Sequence, residues 1–167
     1  MTNISSRLHE KKMTTASHLV SLTLEEQRYA LPLSQVEKVL RALEITPLPG
    51  APDIILGIIN VRGKVIPVVN VRRRFNLPER MISMSDQIII SHTSRRQVAL
   101  VVDEVCGVIE ALDHTVLDAE KILPHLEYVE GVVKLKDGMI LIHDLDRFLS
   151  LEEGTGLSDT LAGTKQQ

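Results

Sequence analysis

The chain has 167 residues, 44% of them hydrophobic and 25% charged, with a formal net charge of −3. That balance fits an ordinary soluble globular protein of one compact unit or two small lobes, and it argues against a wholly disordered chain. Net acidity leaves no global basic field for nucleic acid or anionic lipid, and four aromatic residues with no Trp leave few rings to stack on bases.

Residues 1–17 are polar and read as a loose tail, with Met13 a second candidate start. The folded part spans residues 18–151, and β signals dominate it. His18–Leu24 is apolar and β-branched; Glu25-Glu26-Gln27 turns the chain into a second strand, Arg28–Leu33. Ile54–Gly57, after Pro49 and Pro52, reads as a single helical turn. Ile58–Val61 and Lys64–Val69 form a tight hairpin with Arg62-Gly63 at its tip, where Gly suits positive φ. Val71–Phe75 is a short helix capped by Asn70. Gln87–Ser91 and Gln97–Val102 form the next hairpin through Thr93-Ser94-Arg95, and Val105–Ala111 continues it. Val129–Leu135 and Met139–His143 form the last hairpin through Lys136-Asp137-Gly138, followed by a short helix at Asp144–Leu149. Residues 152–167 are polar and Gly-rich and read as a second tail, with room for a short helix around Leu157–Leu161.

An internal duplication underlies these elements. Tyr29-Ala30-Leu31 through Val36 and Val39 matches Val98-Ala99-Leu100 through Val105 and Val108 at an offset of 69 residues. Gly57-Ile58-Ile59 matches Gly131-Val132-Val133 at an offset of 74, and the same offset joins Ile66 to Ile140, Val68 to Ile142, Asn70 to Asp144 and Val71 to Leu145. Each copy is small for a core of its own, so the two bury apolar surface against each other. Short strands at this spacing close most easily into small barrels, which leave no open edge.

Catalytic chemistry has no visible foothold. No phosphate loop and no nucleophile elbow are present. His143-Asp144 reads as a strand end followed by a helix cap. Asp113, His114, Asp118 and His125 lack metal-ligand spacing. Cys106 is the sole cysteine, which rules out an intramolecular disulfide, suits a reducing compartment and reads as a half-buried structural thiol. Arg72-Arg73-Arg74 reads as the solvated face of a short helix. No apolar run reaches the roughly 20 residues of a membrane helix, and the N-terminus has no apolar signal core. A cytoplasmic protein without membrane insertion, metal or cofactor is expected, and not an enzyme.

The segment Leu56-Gly57-Ile58-Ile59-Asn60-Val61-Arg62-Gly63-Lys64-Val65-Ile66-Pro67-Val68-Val69-Asn70-Val71-Arg72 resembles the central signature of the chemotaxis coupling protein CheW family. Tyr29–Val39 resembles an upstream block of that family, and Val98–Val108 and Tyr128–Leu149 fit its second half in order. The resemblance covers essentially the whole folded part. It implies an all-β fold of two tandem five-stranded SH3-like β-barrels with short helices. It also implies a non-catalytic adaptor that joins the cytoplasmic hairpin tip of a chemoreceptor to the regulatory domain of the histidine kinase CheA, recruited to membrane-associated receptor arrays. An alternative of the same kind is an adaptor in a chemosensory pathway that controls development, surface behaviour or second messengers. By resemblance, the receptor groove lies between the lobes, at Val36, Val39, Gly57, Arg62, Gly63, Val105 and Val108, with Asn60 in the signature beside them. One position departs from the family pattern: Lys38 stands where the family usually has a Glu that pairs with the signature Arg. Two cations, Lys38 and Arg62, then share the site, with Glu37 and Glu44 as the nearest acids in sequence.

Overall fold

The computed structural model describes residues 17–111, 116–118, 129–135, 138–143 and 145–148. The chain runs β1 (Ser17–Leu24), β2 (Gln27–Pro32), a 3-10 turn at Leu33–Gln35, β3 (Val36–Arg41), β4 (Ile55–Val61), β5 (Lys64–Val69) and helix α1 (Val71–Arg74). It continues through β6 (Gln87–His92), β7 (Gln97–Val102), β8 (Glu104–Ala111), β9 (Val116–Asp118), β10 (Val129–Leu135), β11 (Gly138–His143) and helix α2 (Leu145–Phe148). Strands outweigh helix throughout, and they form two sheets, ordered β8-β1-β2-β11-β10-β9 and β3-β6-β7-β5-β4. The all-β, two-lobed, SH3-like architecture anticipated from sequence is the one the chain adopts.

The duplication governs strand register down to single residues. In one sheet Ala30 lies opposite Ile142 on a parallel neighbour; in the other Ala99 lies opposite Val68. Leu22 opposes Val105 as Ser91 opposes Val36, and the register slips by one residue directly beyond each pair. The slips are β-bulges at Cys106 and Glu37, which bend the strand locally. A second pair of slips precedes Gly57 and Gly131. The sheets are nevertheless not one copy each. The first two strands of each copy sit in the lobe built by the remaining strands of the other: β1 and β2 with β8–β11, and β6 and β7 with β3–β5.

Burial follows the same symmetry. One lobe encloses Ile59, Ile66, Val68, Ile88 and Ala99. The other encloses their repeat partners Val133, Ile140, Ile142, Leu19 and Ala30. A third cluster, containing Leu22, Tyr29, Leu31, Val69, Leu100 and Leu145 among others, joins the two sheets. Val, Ile and Leu supply nearly all of it, as the scarcity of aromatic residues requires. Tyr29, Phe75 and His143 are the exception: the Tyr29 and Phe75 rings stack with centroids 4.9 Å apart, and the His143 ring lies 4.5 Å from that of Phe75. Burial raises the Tyr29 phenol above its ordinary value.

Several local expectations change. Ile54–Gly57 is not a helical turn. A tight turn closes at Pro52, where the Ile55 N–H donates to the Pro52 carbonyl at 2.8 Å, and β4 already begins at Ile55 because Ile54 and Ile55 are needed in the core between the sheets. Val105–Ala111 does not extend the preceding hairpin; β8 crosses to the other sheet and pairs with β1. Cys106 is exposed, since the bulge turns it off the buried face. The Arg72–Arg74 run is not a solvated face: Arg72 is 8% exposed and only Arg73 is open to water. Asn70 does cap α1, its side chain accepting the Arg73 N–H at 3.1 Å. The tails, Asp113, His114 and His125, the Lys136-Asp137 turn and the Asp144 cap lie outside the described residues.

Candidate partner-binding site

The tip of the β4–β5 hairpin is a two-residue loop. Arg62 and Gly63 both have positive φ, +51° and +86°, the pattern of a type I′ turn whose twist matches the flanking strands. The Asn60 side chain braces it, accepting the Gly63 N–H at 2.8 Å. A non-glycine residue in this conformation is strained, and tight turns that hold one are over-represented at functional sites. The strain here points an exposed guanidinium into solvent from a fixed stem.

Gly57 serves the hairpin from behind. It is buried, and a Cβ there would lie 2.2 Å from the Thr46 carbonyl oxygen. The chain leaving β3 crosses at that point, with Thr46 and Ile58 exchanging backbone hydrogen bonds of 2.9 and 2.8 Å. Gly57 therefore shapes the site through backbone approach and offers no side-chain surface.

Val36 and Val105 both pack against the core between the sheets while remaining partly exposed. They reach the same seam from opposite lobes, as the repeat dictates. Three residues on, Val39 and Val108 are 37% and 57% exposed. Two equivalent apolar patches thus flank the seam. A 2.6 Å bond from the Val105 N–H to the Gln87 side-chain carbonyl ties the start of β8 to β6 in the other lobe.

Lys38 and Arg62 make no ion pair with any other described residue, and both are exposed. Glu37 is taken up elsewhere: its carboxylate accepts from Gln97 Nε2 at 2.6 Å and lies 3.5 Å from His92 Nδ1. Glu44 forms no ion pair with the described residues either. Among the described residues no cluster of His, Cys, Asp and Glu has the geometry to hold a metal ion, and no helix is long and apolar enough to cross a membrane.

A second constellation escaped the sequence reading. Arg72 pairs with both Glu25 and Asp103. Arg80 grips Asp86 with two bonds of 2.7 and 2.9 Å and reaches Asp103 at 2.7 Å. Burial acts to raise the carboxyls of Asp86 and Asp103. The bonds from Arg80 and the Ser83 N–H on one, and from the Glu25 N–H, Arg72 and Arg80 on the other, outweigh it, so both sit below their ordinary value. The hydrogen bonds it donates to Asp86 hold Arg80 above its own. The clue in the sequence was the place of Arg72 in a one-turn helix directly after a buried strand, where half the residues must face inward.

A family model described as the CheW-like domain matches residues 18–153. The chain belongs to the CheW-like family. Its similarity to the chemotaxis protein CheW of Treponema pallidum is 24% identity over 157 residues, covering 87% of this chain and 92% of the relative. To that of Bacillus subtilis it is 29% over 143 residues, covering 84% and 92%. The crystal structure of the scaffolding protein TtCheW from Thermoanaerobacter tengcongensis superposes with a TM-score of 0.75 at 31% identity, covering 83% of this chain and 96% of that one. This CheW-like chain is a scaffold of chemotaxis signalling by family, and its two-sheet fold is the family's fold.

Proposed function

We propose that the chain couples the cytoplasmic hairpin tip of a chemoreceptor to the regulatory domain of the histidine kinase CheA, as a non-catalytic adaptor at membrane-associated receptor arrays. The observation that carries this reading is the pair of equivalent valine patches, Val36/Val39 and Val105/Val108, flanking the seam between the lobes. A helical hairpin lays an apolar face into such a groove, its anchors spaced at one-turn intervals. Lys38 and Arg62 add uncompensated positive charge on the same lobe as Val36 and Val39, which favours a partner carrying carboxylates and orients its approach. Gly57, Asn60 and Gly63 act indirectly, by fixing the hairpin that carries Arg62.

The test is a titration of a receptor cytoplasmic fragment against the wild type, Val108→Asp and Val39→Asp. Both positions are exposed, so the fold tolerates the change. Each variant is expected to weaken binding by about tenfold or more, since a buried unpaired carboxylate at an interface costs more than about 1.4 kcal/mol. Unchanged affinity in both variants would place the receptor elsewhere on the surface.

A further inference from the structure

We infer that Arg72 is a positioning residue that fixes the angle between the two lobes, and so the spacing of the two valine patches across the groove. The inference rests on the receptor-groove reading above for its functional consequence, and on geometry alone for the latch.

Arg72 follows β5, in the lobe that carries Val36. Its guanidinium bridges two segments that belong to the opposite lobe or lead into it. Glu25 lies in the β1–β2 turn, and Asp103 is the single residue between β7 and β8, where the chain crosses from one sheet to the other. The Pro78 carbonyl accepts a further bond at 3.2 Å. Asp103 in turn holds the β1–β2 turn by its main chain and side chain: its own N–H donates to the Thr23 carbonyl at 3.1 Å, and its carboxylate accepts the Glu25 N–H at 3.0 Å. Val105, one wall of the groove, is two residues further on.

The turn itself shows that tertiary contacts dictate it. Glu25 and Glu26 both have positive φ, +48° and +68°, with neither Gly nor Asn to ease the strain. A strained turn persists only where its surroundings over-determine it, and Arg72 and Asp103 are those surroundings. The repeat sharpens the assignment. The residues equivalent to Glu25 and Arg72 are Ser94 and Asp146, and they also meet: the Ser94 N–H and hydroxyl both donate to Asp146 at 2.8 Å. Each lobe is therefore clasped to the other where a hairpin turn meets a short helix. On the Arg72 side the clasp is ionic, half-buried and joined to the Arg80–Asp86 pair. A local stabilising role for Arg72 would need only one partner; it has carboxylates from two segments that must keep their relative positions for the groove to exist.

The experiment measures the distance between lobes directly. Spin labels at Val65→Cys and Met139→Cys, exposed positions on opposite lobes, are introduced with Cys106→Ser, and pulsed dipolar spectroscopy reads the distance distribution without any partner. The wild-type background should give one narrow distribution. Arg72→Met should broaden or shift it and lower affinity for the receptor fragment about tenfold, in the range of ordinary coupling between sites. Arg72→Met removes the ion-pair partner of Glu25 and one of the two of Asp103, and is at risk of misfolding. The neutral triple variant Glu25→Gln/Arg72→Met/Asp103→Asn leaves no orphaned charge, and the same broadening is expected from it. An unchanged distribution in the folded triple variant overturns the latch. A broadened distribution in a protein whose wild type does not bind the receptor fragment leaves the latch standing and removes the receptor reading instead.

Discussion

Gly57→Ala is the most decisive single-methyl perturbation of this fold. The added Cβ would stand 2.2 Å from the Thr46 carbonyl oxygen, 2.8 Å from its carbonyl carbon and 2.9 Å from Ile45 Cγ2, where ordinary contact begins at 3.4 Å. Two of those three atoms are backbone and cannot rotate away, so the segment after β3 must retreat by about an ångström. That breaks the two Thr46–Ile58 hydrogen bonds, at about 1 kcal/mol each, and adds overpacking strain of about 1–3 kcal/mol. The total, about 3–5 kcal/mol, is a large share of a domain's stability and should lower Tm by roughly 6–20 °C for a chain of this size. Thermal unfolding followed by circular dichroism measures it. Two other glycines calibrate the reasoning. At the repeat position, Gly131→Ala meets Leu117 O at 3.0 Å and Val116 Cγ1 at 3.2 Å, a milder clash. Gly63→Ala meets nothing within 4 Å and carries only the strain of a φ of +86°, about 1–2 kcal/mol. The order of cost should have Gly57 first. A Gly57→Ala protein that melts within about 3 °C of wild type, or above Gly63→Ala, refutes the backbone-approach argument.

Lys38→Glu should weaken receptor-fragment binding and flatten its salt dependence, with Tm almost unmoved because an exposed pair contributes about 0–1 kcal/mol; binding at or above the wild-type level would mean that Lys38 is an inert substitution. Ser91 is fully buried, its hydroxyl has no partner among the described residues, and the repeat places Leu22 at its position. Ser91→Ala should therefore leave stability unchanged or raise it by about 1 kcal/mol, read from urea midpoints at constant slope. Asp86 and Asp103 have folded values below the unfolded 3.8, so their contribution is present above that pH and is lost as pH falls through the folded values. Between about pH 4 and about pH 2 the wild-type Tm should drop more steeply than that of Asp86→Asn.

Strand positions were legible wherever apolar alternation was bounded by a turn signal, as at Arg62-Gly63 and Thr93–Arg95. The repeat predicted register equivalence correctly, because register follows the pattern of buried residues and both copies keep it: Ala30 and Ala99 occupy the same place. Val36 and Val105 stand opposite the repeat partners Ser91 and Leu22 for the same reason. What could not be read was long-range pairing of charge. Arg72 looks identical in sequence to Arg73, yet one is enclosed by acids 31 and 47 residues away while the other faces water. Nor does Glu25-Glu26 announce a type I′ turn, since its cause lies in Arg72 and Asp103 and not in its own propensity.

The exchange of strands between copies, by contrast, is dictated by connector length. In each lobe the order places β3 or β8 two strands away from where β2 or β7 would be, running in the same direction. For β3 to join its own β1 and β2, the chain would have to return along the whole of a six-residue strand, about 20 Å, and across two strand spacings of about 4.8 Å. Only Leu33–Gln35 connect β2 to β3, a reach of about 14 Å at full extension. Between β7 and β8 there is one residue. Neither copy can close on itself, so each must lend its first hairpin to the other. It follows that a chain cut in the loop between α1 and β6 should yield halves that lack a cooperative unfolding transition alone and regain one when mixed in equal amounts. The mixture should unfold with the ellipticity of the intact protein, and its midpoint should depend on concentration by mass action. A half that unfolds cooperatively alone as a monomer would show that the short connectors do not prevent closure, and connector length would no longer account for the interlaced lobes.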